Sequence, residues 1–364
     1  MVDGRPSIVF EGDAARAVVD IGGGAIVGFH LNKKPLNPLS WREDPEATGP
    51  GPRWMGHFIC LDRWGAPGEG EAANGMPFHG EASRIMWKIH SGPDKRGDAI
   101  KAEMSTRLPL AGLEINRRMA MSSKTAYMTV TETVTNHNKL GRVYNMVQHP
   151  SISPPFLSTA SLIDCNGRKG FMDSSPLPNP EEPPIFWPQS LKDGLPLNMR
   201  RFPDADHADM APDAGEIHDV VSYVIDEEYG WITASNPEAG LLIGYVWRTE
   251  DYPWVIQWRH LNNGVPVAIG LEFGTTGLHQ PPAVLVAKHA IFGRRLFDYL
   301  DTGESTERSY GVFLSEIPSD YNGVARVIVE DGTLTVKERG VSADQWSTPG
   351  GNDLVFNVGE MLLQ

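Results

Sequence analysis

The chain predicts an all-β fold, on three observations. Segments of alternating apolar and polar side chains recur along its length. They follow one another without the amphipathic helices that a parallel α/β sheet would need. Gly and Pro, with 38 and 29 residues among 364, favour short strands joined by turns. The segment 125–135, TAYMTVTETVT, is the clearest case and suits a sheet with one buried face. DVVSYVID (219–226), YGWITAS (229–235), GLLIGYVW (240–247) and WVIQWRHL (254–261) continue it, with Asn236 to Gly240 as the turn between the second and third of these. Near the C-terminus ARVIVEDGTLTVKE carries Asp331-Gly332, a hairpin signal. The segment 288–300, KHAIFGRRLFDYL, is the best helix candidate, and a short one.

Two stretches are poor in strand signals. Residues 35–53 and 64–77 are rich in Pro, Gly and Glu, and 172–215 in Pro, Asp and Asn. Pro keeps such segments out of central strands, and long irregular loops in a β domain often form the rim of a binding cleft. Nothing reads as a linker or a repeat, so residues 1–364 are expected to form one domain.

Composition excludes several functions. The formal net charge of −14 opposes a nucleic-acid partner, because neutralising phosphates requires clustered Lys and Arg. It also disfavours anionic membranes, and no window approaches the roughly 18 apolar residues of a membrane-spanning helix. The start, MVDGRPSIVFEGD, lacks the basic and apolar regions of a signal peptide, so the expected location is cytoplasmic. Cys60 and Cys165 have no metal-like spacing and read as buried, unpaired thiols.

Three clusters could carry chemistry. The first is Pro77-Phe78-His79-Gly80-Glu81-Ala82-Ser83-Arg84-Ile85-Met86-Trp87, where a His beside a Gly lets backbone approach a ligand and Arg84 offers a fork of donors. The second runs from Asn136 to His149-Pro150, which places His149 at a strand end. In the third, Trp254, Trp258, Arg259 and His260 precede Glu272, which interrupts the apolar run VAIGLEFG. A carboxylate in such a run is either an ion-pair partner or a poised base. For each His alone, a hydrogen-bonded structural role is an equal reading, and Trp254 and Trp258 are equally core residues.

In this order the clusters resemble the aldose 1-epimerase (galactose mutarotase-like) family. The resemblance lies in His-Gly-x-x-x-Arg-x-x-Trp at 79–87, in Asn136 followed by His149-Pro150, and in Leu271-Glu272. The family usually has His-Gly-Phe-Ala-Arg; here Glu81 replaces the Phe and Arg84 comes one residue late, while Phe273 stands where Pro is common. The resemblance implies a single-domain β-supersandwich, a small-molecule carbohydrate as partner, no cofactor or metal, and a monomer or homodimer. It implies Glu272 as general base on the anomeric hydroxyl, His149 as acid on the ring oxygen, on opposite sides of the hemiacetal, and His79 as a catalytic residue that positions the sugar. Arg84, Trp258 and Arg259 would contact substrate, and Asp226 is the candidate for the family's further substrate-binding Asp.

Three other readings stay open. One is a carbohydrate-binding protein of the same fold without catalysis, since a fold does not settle function. Another is a metal enzyme built on His79, Glu81 and His149. The third takes the acidic stretch 204–228 as a calcium site, although its Asp spacing matches no EF-hand loop.

Overall fold

A computed structural model describes residues 1–46, 51–192, 195–202, 215–340 and 351–359. The alternating segments form strands within three residues of the expected limits, at Tyr127–Asn136, Glu216–Ile225, Tyr229–Asn236, Leu241–Arg248 and Trp254–Asn262. Among the described residues they assemble into two large antiparallel sheets. One has ten strands, in which His57–Leu61, Met146–Ile152, Val265–Gly274, Trp254–Asn262 and Glu216–Ile225 lie side by side. The other has eight, with Leu241–Arg248, Ser305–Glu316, Tyr127–Asn136 and Leu113–Ser122 at its centre.

The period of two along each strand separates two environments. In the ten-stranded sheet Ile59, Met146, Ile152, Leu271 and Phe273 face the other sheet. They meet Ile115, Val130, Tyr245 and Val312 in one continuous apolar cluster. Phe273 stacks on Trp247, ring centroids 4.1 Å apart. Each large apolar side chain buried in this way contributes about 1.5–3 kcal/mol. The alternate residues, Phe58, Cys60, Val147 and Ile256 among them, face outward and pack with Trp64, Leu278 and Leu285.

The outer face of the eight-stranded sheet is also covered. Tyr127, Trp231, Leu242 and Phe313 pack against Val327, Leu334, Val336 and Phe356 of a three-stranded sheet, Val324–Glu330, Thr333–Glu338 and Leu354–Asn357. Its first hairpin turns at Asp331-Gly332, with φ of 46° and 74°. Both central residues of a tight hairpin turn of this hand need positive φ, which Asp tolerates and Gly adopts freely.

The helix expected at 288–300 is not formed. The helix is Pro282–Lys288, begun by Pro at its first position. It stops at His289, where φ is 53°, and Phe292-Gly293 at φ 49° and 75° then reverse the chain between the short strands Ala290–Ile291 and Arg294–Arg295. Cys60 and Cys165 are both buried and make no disulfide. No helix among the described residues is long and apolar enough to cross a membrane.

Candidate active site

His149 and Glu272 are neighbours because two adjacent strands put them there. The strand Met146–Ile152 pairs with Val265–Gly274 through Gln148 opposite Phe273 and Ser151 opposite Gly270, a register that sets His149 beside Glu272. Both side chains fall on the outward face. His149 Nε2 lies 3.2 Å from Glu272 Oε1, yet that oxygen receives no aligned hydrogen bond. The other carboxyl oxygen, Oε2, accepts from the indole N–H of Trp64 at 3.0 Å. Space for the carboxyl group comes from Gly270, two residues back on the same face; a Cβ there would sit 2.7 Å from Oε1. On its other side the His149 ring stacks on Phe58, centroids 4.3 Å apart, its partner across the His57–Leu61 strand.

The protons on this pair follow from its surroundings. The Ser151 hydroxyl donates to the His149 carbonyl at 3.4 Å and lies 3.1 Å from Nδ1. Its oxygen can therefore accept from Nδ1–H, leaving the Nε2 lone pair toward Glu272. Burial holds the His149 imidazole down to about 3, from an ordinary 6.5, and pushes the Glu272 carboxyl well above the usual carboxylate range. Desolvation favours the neutral form of both groups. Burial thus favours a carboxylic acid beside a neutral imidazole over an ion pair.

His79 reaches the same place from a loop. Its φ of 63° is unusual for a non-glycine residue and turns the ring inward. Gly80 follows at φ 75°, where a Cβ would collide with the Leu61 carbonyl. His79 Nδ1 accepts the backbone N–H of Gly65 at 2.9 Å, which leaves the neutral ring its proton on Nε2 as a donor. Burial, with the neighbouring His149, His279 and Arg84, holds His79 well below 6.5. The His79 and His149 rings stand edge to face, 5.6 Å apart.

These three residues share one cavity of about 750 Å³, within the range of about 300–1,000 Å³ of small-molecule sites. Its walls are aromatic, with Trp41, Trp54, Phe58, Trp64, Phe78 and Trp258. Flat apolar faces beside a few polar groups suit a ring with one apolar and one hydroxylated side. Trp258 stands 5.6 Å from the His149 ring, edge to face, and donates its indole N–H to His218 Nδ1 at 3.3 Å.

Other residues singled out in the sequence lie elsewhere. The Arg84 guanidinium is held by both oxygens of Glu43 at 2.7 and 2.8 Å, and lies 3.7 Å over the Trp54 ring. It stands behind the wall as a brace, since Glu43 and Trp54 line the cavity. Arg259 alternates with Trp258 and points the other way, fully buried against Phe202 and paired with Asp219 at 2.6 Å. Asp226 follows the end of its strand in a separate depression, half exposed, between Arg168 and Arg294. Glu81 turns away from His79 and accepts the backbone N–H groups of Leu110 and Ala111. His79, Glu81 and His149 therefore do not converge as metal ligands. Among the described residues the one grouping with that spacing is Glu216, His218 and His260, on the cavity wall. Residues 204–214 of the acidic stretch 204–228 lie outside the described residues.

Sequence reasoning had not singled out Trp64, Phe58, His279 or Asp173 for the site. His279 lies edge to face on Trp64 at 4.7 Å, and its Nδ1 is 3.7 Å from Asp173 Oδ2. The irregular stretches 35–53, 64–77 and 172–215 do supply part of the wall, through Trp41, Trp64 and Asp173.

No protein-family model and no curated protein sequence matches this chain. Solved structures do. The galactose mutarotase related enzyme of Lactobacillus acidophilus matches at TM-score 0.59 and 12% identity, over 86% of this chain and 98% of that one. A galactose mutarotase-like protein from Clostridium acetobutylicum matches at 0.56 and 14%, over 85% and 95%. One from Lactobacillus casei matches at 0.56 and 15%, over 85% and 100%. The chain thus has the galactose mutarotase-like fold, a mostly β architecture of packed antiparallel sheets.

Proposed function

We propose that this protein interconverts the anomers of an aldose by acid/base ring opening, with Glu272 as base and His149 as acid. The observation that carries the reading is the buried His149–Glu272 pair, 3.2 Å apart on one wall of an aromatic cavity, with the Nε2 donor of His79 beside it. The likeness of the fold to mutarotase-related structures supports it.

The pair holds one proton between two atoms. Its transfer from Glu272 Oε1 to His149 Nε2 converts the neutral pair into a carboxylate and an imidazolium. The carboxylate then takes the proton of the anomeric hydroxyl while the imidazolium gives its own to the ring oxygen. The C1–O5 bond breaks, a carbonyl forms at C1, and the pair is neutral again. After rotation about C1–C2 the same transfers run backwards and close the other anomer. The two groups sit side by side rather than on opposite sides of the hemiacetal, which suits oxygens that share one carbon. His79 Nε2–H would hold a sugar oxygen in place, and the Trp258 face would stack on the ring. This chemistry draws on protein groups alone.

Polarimetry on freshly dissolved α-glucose and α-galactose tests the proposal. Acceleration by wild type and its loss in Glu272→Gln is the expected result. An equal rate in the mutant sinks the assignment of the base, and sugar binding without acceleration points to a binding protein.

A further inference from the structure

We infer that the cavity selects a sugar carrying a free amino group, and disfavours phosphorylated or acidic sugars. The inference rests on reading the cavity as a sugar site. It starts from the charges on the wall, where Glu43, Asp44, Asp173, Glu216 and Asp219 supply the carboxylates, Glu216 with His218 and His260 beside it. Among the described residues Arg42 is the single Lys or Arg of the lining, and its guanidinium is committed to the backbone carbonyls of Val27, Leu39 and Trp41 at 2.6–3.0 Å. Two further cations stand just behind the wall. Arg84 neutralises Glu43, and Arg259 neutralises Asp219. Stretches 47–50, 193–194, 203–214, 341–350 and 360–364, which lie outside the description, contain neither Lys nor Arg.

No guanidinium or ammonium in the described wall is thus left to receive a phosphate or carboxylate, and those anions would meet carboxylates instead. A cation meets the reverse. The Asp173 side chain is partly exposed on this wall, and the nearest cationic candidate to its carboxylate, His279 Nδ1, is 3.7 Å from Oδ2. An ammonium group donates three hydrogen bonds and is attracted to the faces of Trp rings, which this wall presents in number. His279, between Asp173 and Trp64, joins the amine position to the wall that holds Glu272.

Titration of the intrinsic Trp fluorescence of the full chain, near neutral pH, tests this. The probes are glucosamine, glucose, N-acetylglucosamine and glucose 6-phosphate, at low and high salt. Glucosamine is expected to bind roughly five- to tenfold more tightly than glucose at low salt. The advantage should shrink at high salt, and acetylation of the amine should abolish it. Glucose 6-phosphate should bind most weakly. In Asp173→Asn the ratio of glucosamine to glucose affinity is expected to fall toward one, and Asp173→Glu should restore part of it. Equal affinities for glucosamine and glucose, or tighter binding of the phosphate, overturn the inference and leave the proposed epimerase reading standing. Absence of binding by every probe overturns both. Because wild type alone gives the salt dependence and the effect of acetylation, a poorly folding variant does not decide the matter.

Discussion

Two faces of one strand, Met146–Ile152, treat polar side chains in opposite ways. Gln148 points between the sheets and is fully engaged. Its amide donates to Glu132 at 2.6 Å and to the Tyr252 hydroxyl at 3.2 Å, and its carbonyl oxygen meets His57 Nε2 at 3.0 Å. Glu132 in turn pairs with the buried Arg117, which also donates to the Gly24 carbonyl and lies over Trp87. One residue on, His149 faces the cavity beside a carboxyl oxygen that has no hydrogen-bond donor. Burial is nearly the same on both sides. Satisfaction differs at the two side chains themselves: both ends of the Gln148 amide are bonded, with His57 Nδ1 behind it unpartnered, whereas the Glu272 oxygen beside His149 is left open for chemistry.

Four changes would break or sharpen this contrast. The largest effect is expected from Glu272→Gln, which keeps shape but removes the base. Its rate should fall about 10²–10⁴-fold, while stability by urea denaturation stays level or rises, because a costly buried acid is gone. A mutant that loses stability instead would mean that the open face is structural. Next comes Glu132→Ala on the closed face, which strands the Arg117 charge between the sheets and should cost about 3–5 kcal/mol of unfolding free energy. Full stability in this variant would contradict the bracing role of the network.

Gly270→Ala is subtler. Its new methyl must displace Glu272 Oε1 from 2.7 Å, and a shift of that kind costs up to about 10²-fold in rate. Polarimetry beside a melting curve would separate the rate effect from any unfolding.

The smallest effect concerns pH. His149 is depressed from 6.5 to about 3, so the unfolded chain takes up this proton first as pH falls. The stability it contributes is complete above the ordinary imidazole range and is lost progressively down to about 3. His149→Gln should therefore flatten the decline between those values, in denaturation curves taken at each pH. Catalysis, which needs one proton on the pair, should fall off on the alkaline side, as the raised Glu272 carboxyl gives its proton up. An unchanged stability profile in the mutant would place His149 in a more exposed setting than the structure does.

The strands were legible because alternation is a local property: TAYMTVTETVT states its two faces without reference to any partner. The segment 288–300 misled for the same reason. Its spacing suits a helix, yet His289 and Phe292 adopt left-handed φ that only their surroundings justify. At the site, resemblance supplied His79, His149 and Glu272, and the structure brings these into one cavity. Trp64 and Asp173 carried no signal, since irregular loops have no period from which to read a side chain's direction. Arg259 and Asp226 show the converse. Arg259 lies one residue from Trp258 and therefore on the other face, while Asp226 sits past the last residue of its strand and pairs with Arg168.

Patterning and turn chemistry, then, were enough to determine an all-β chain, its strand limits and the Asp331-Gly332 hairpin, because each depends on residues adjacent in the chain. Only the tertiary structure decided that His149 stands beside Glu272, that Gly270 leaves room for its carboxyl group, and that the wall is acidic with its cations already spent. Those facts depend on strand register and on loops that close over the sheet, and they are set by partners as far as 208 residues away rather than by neighbours.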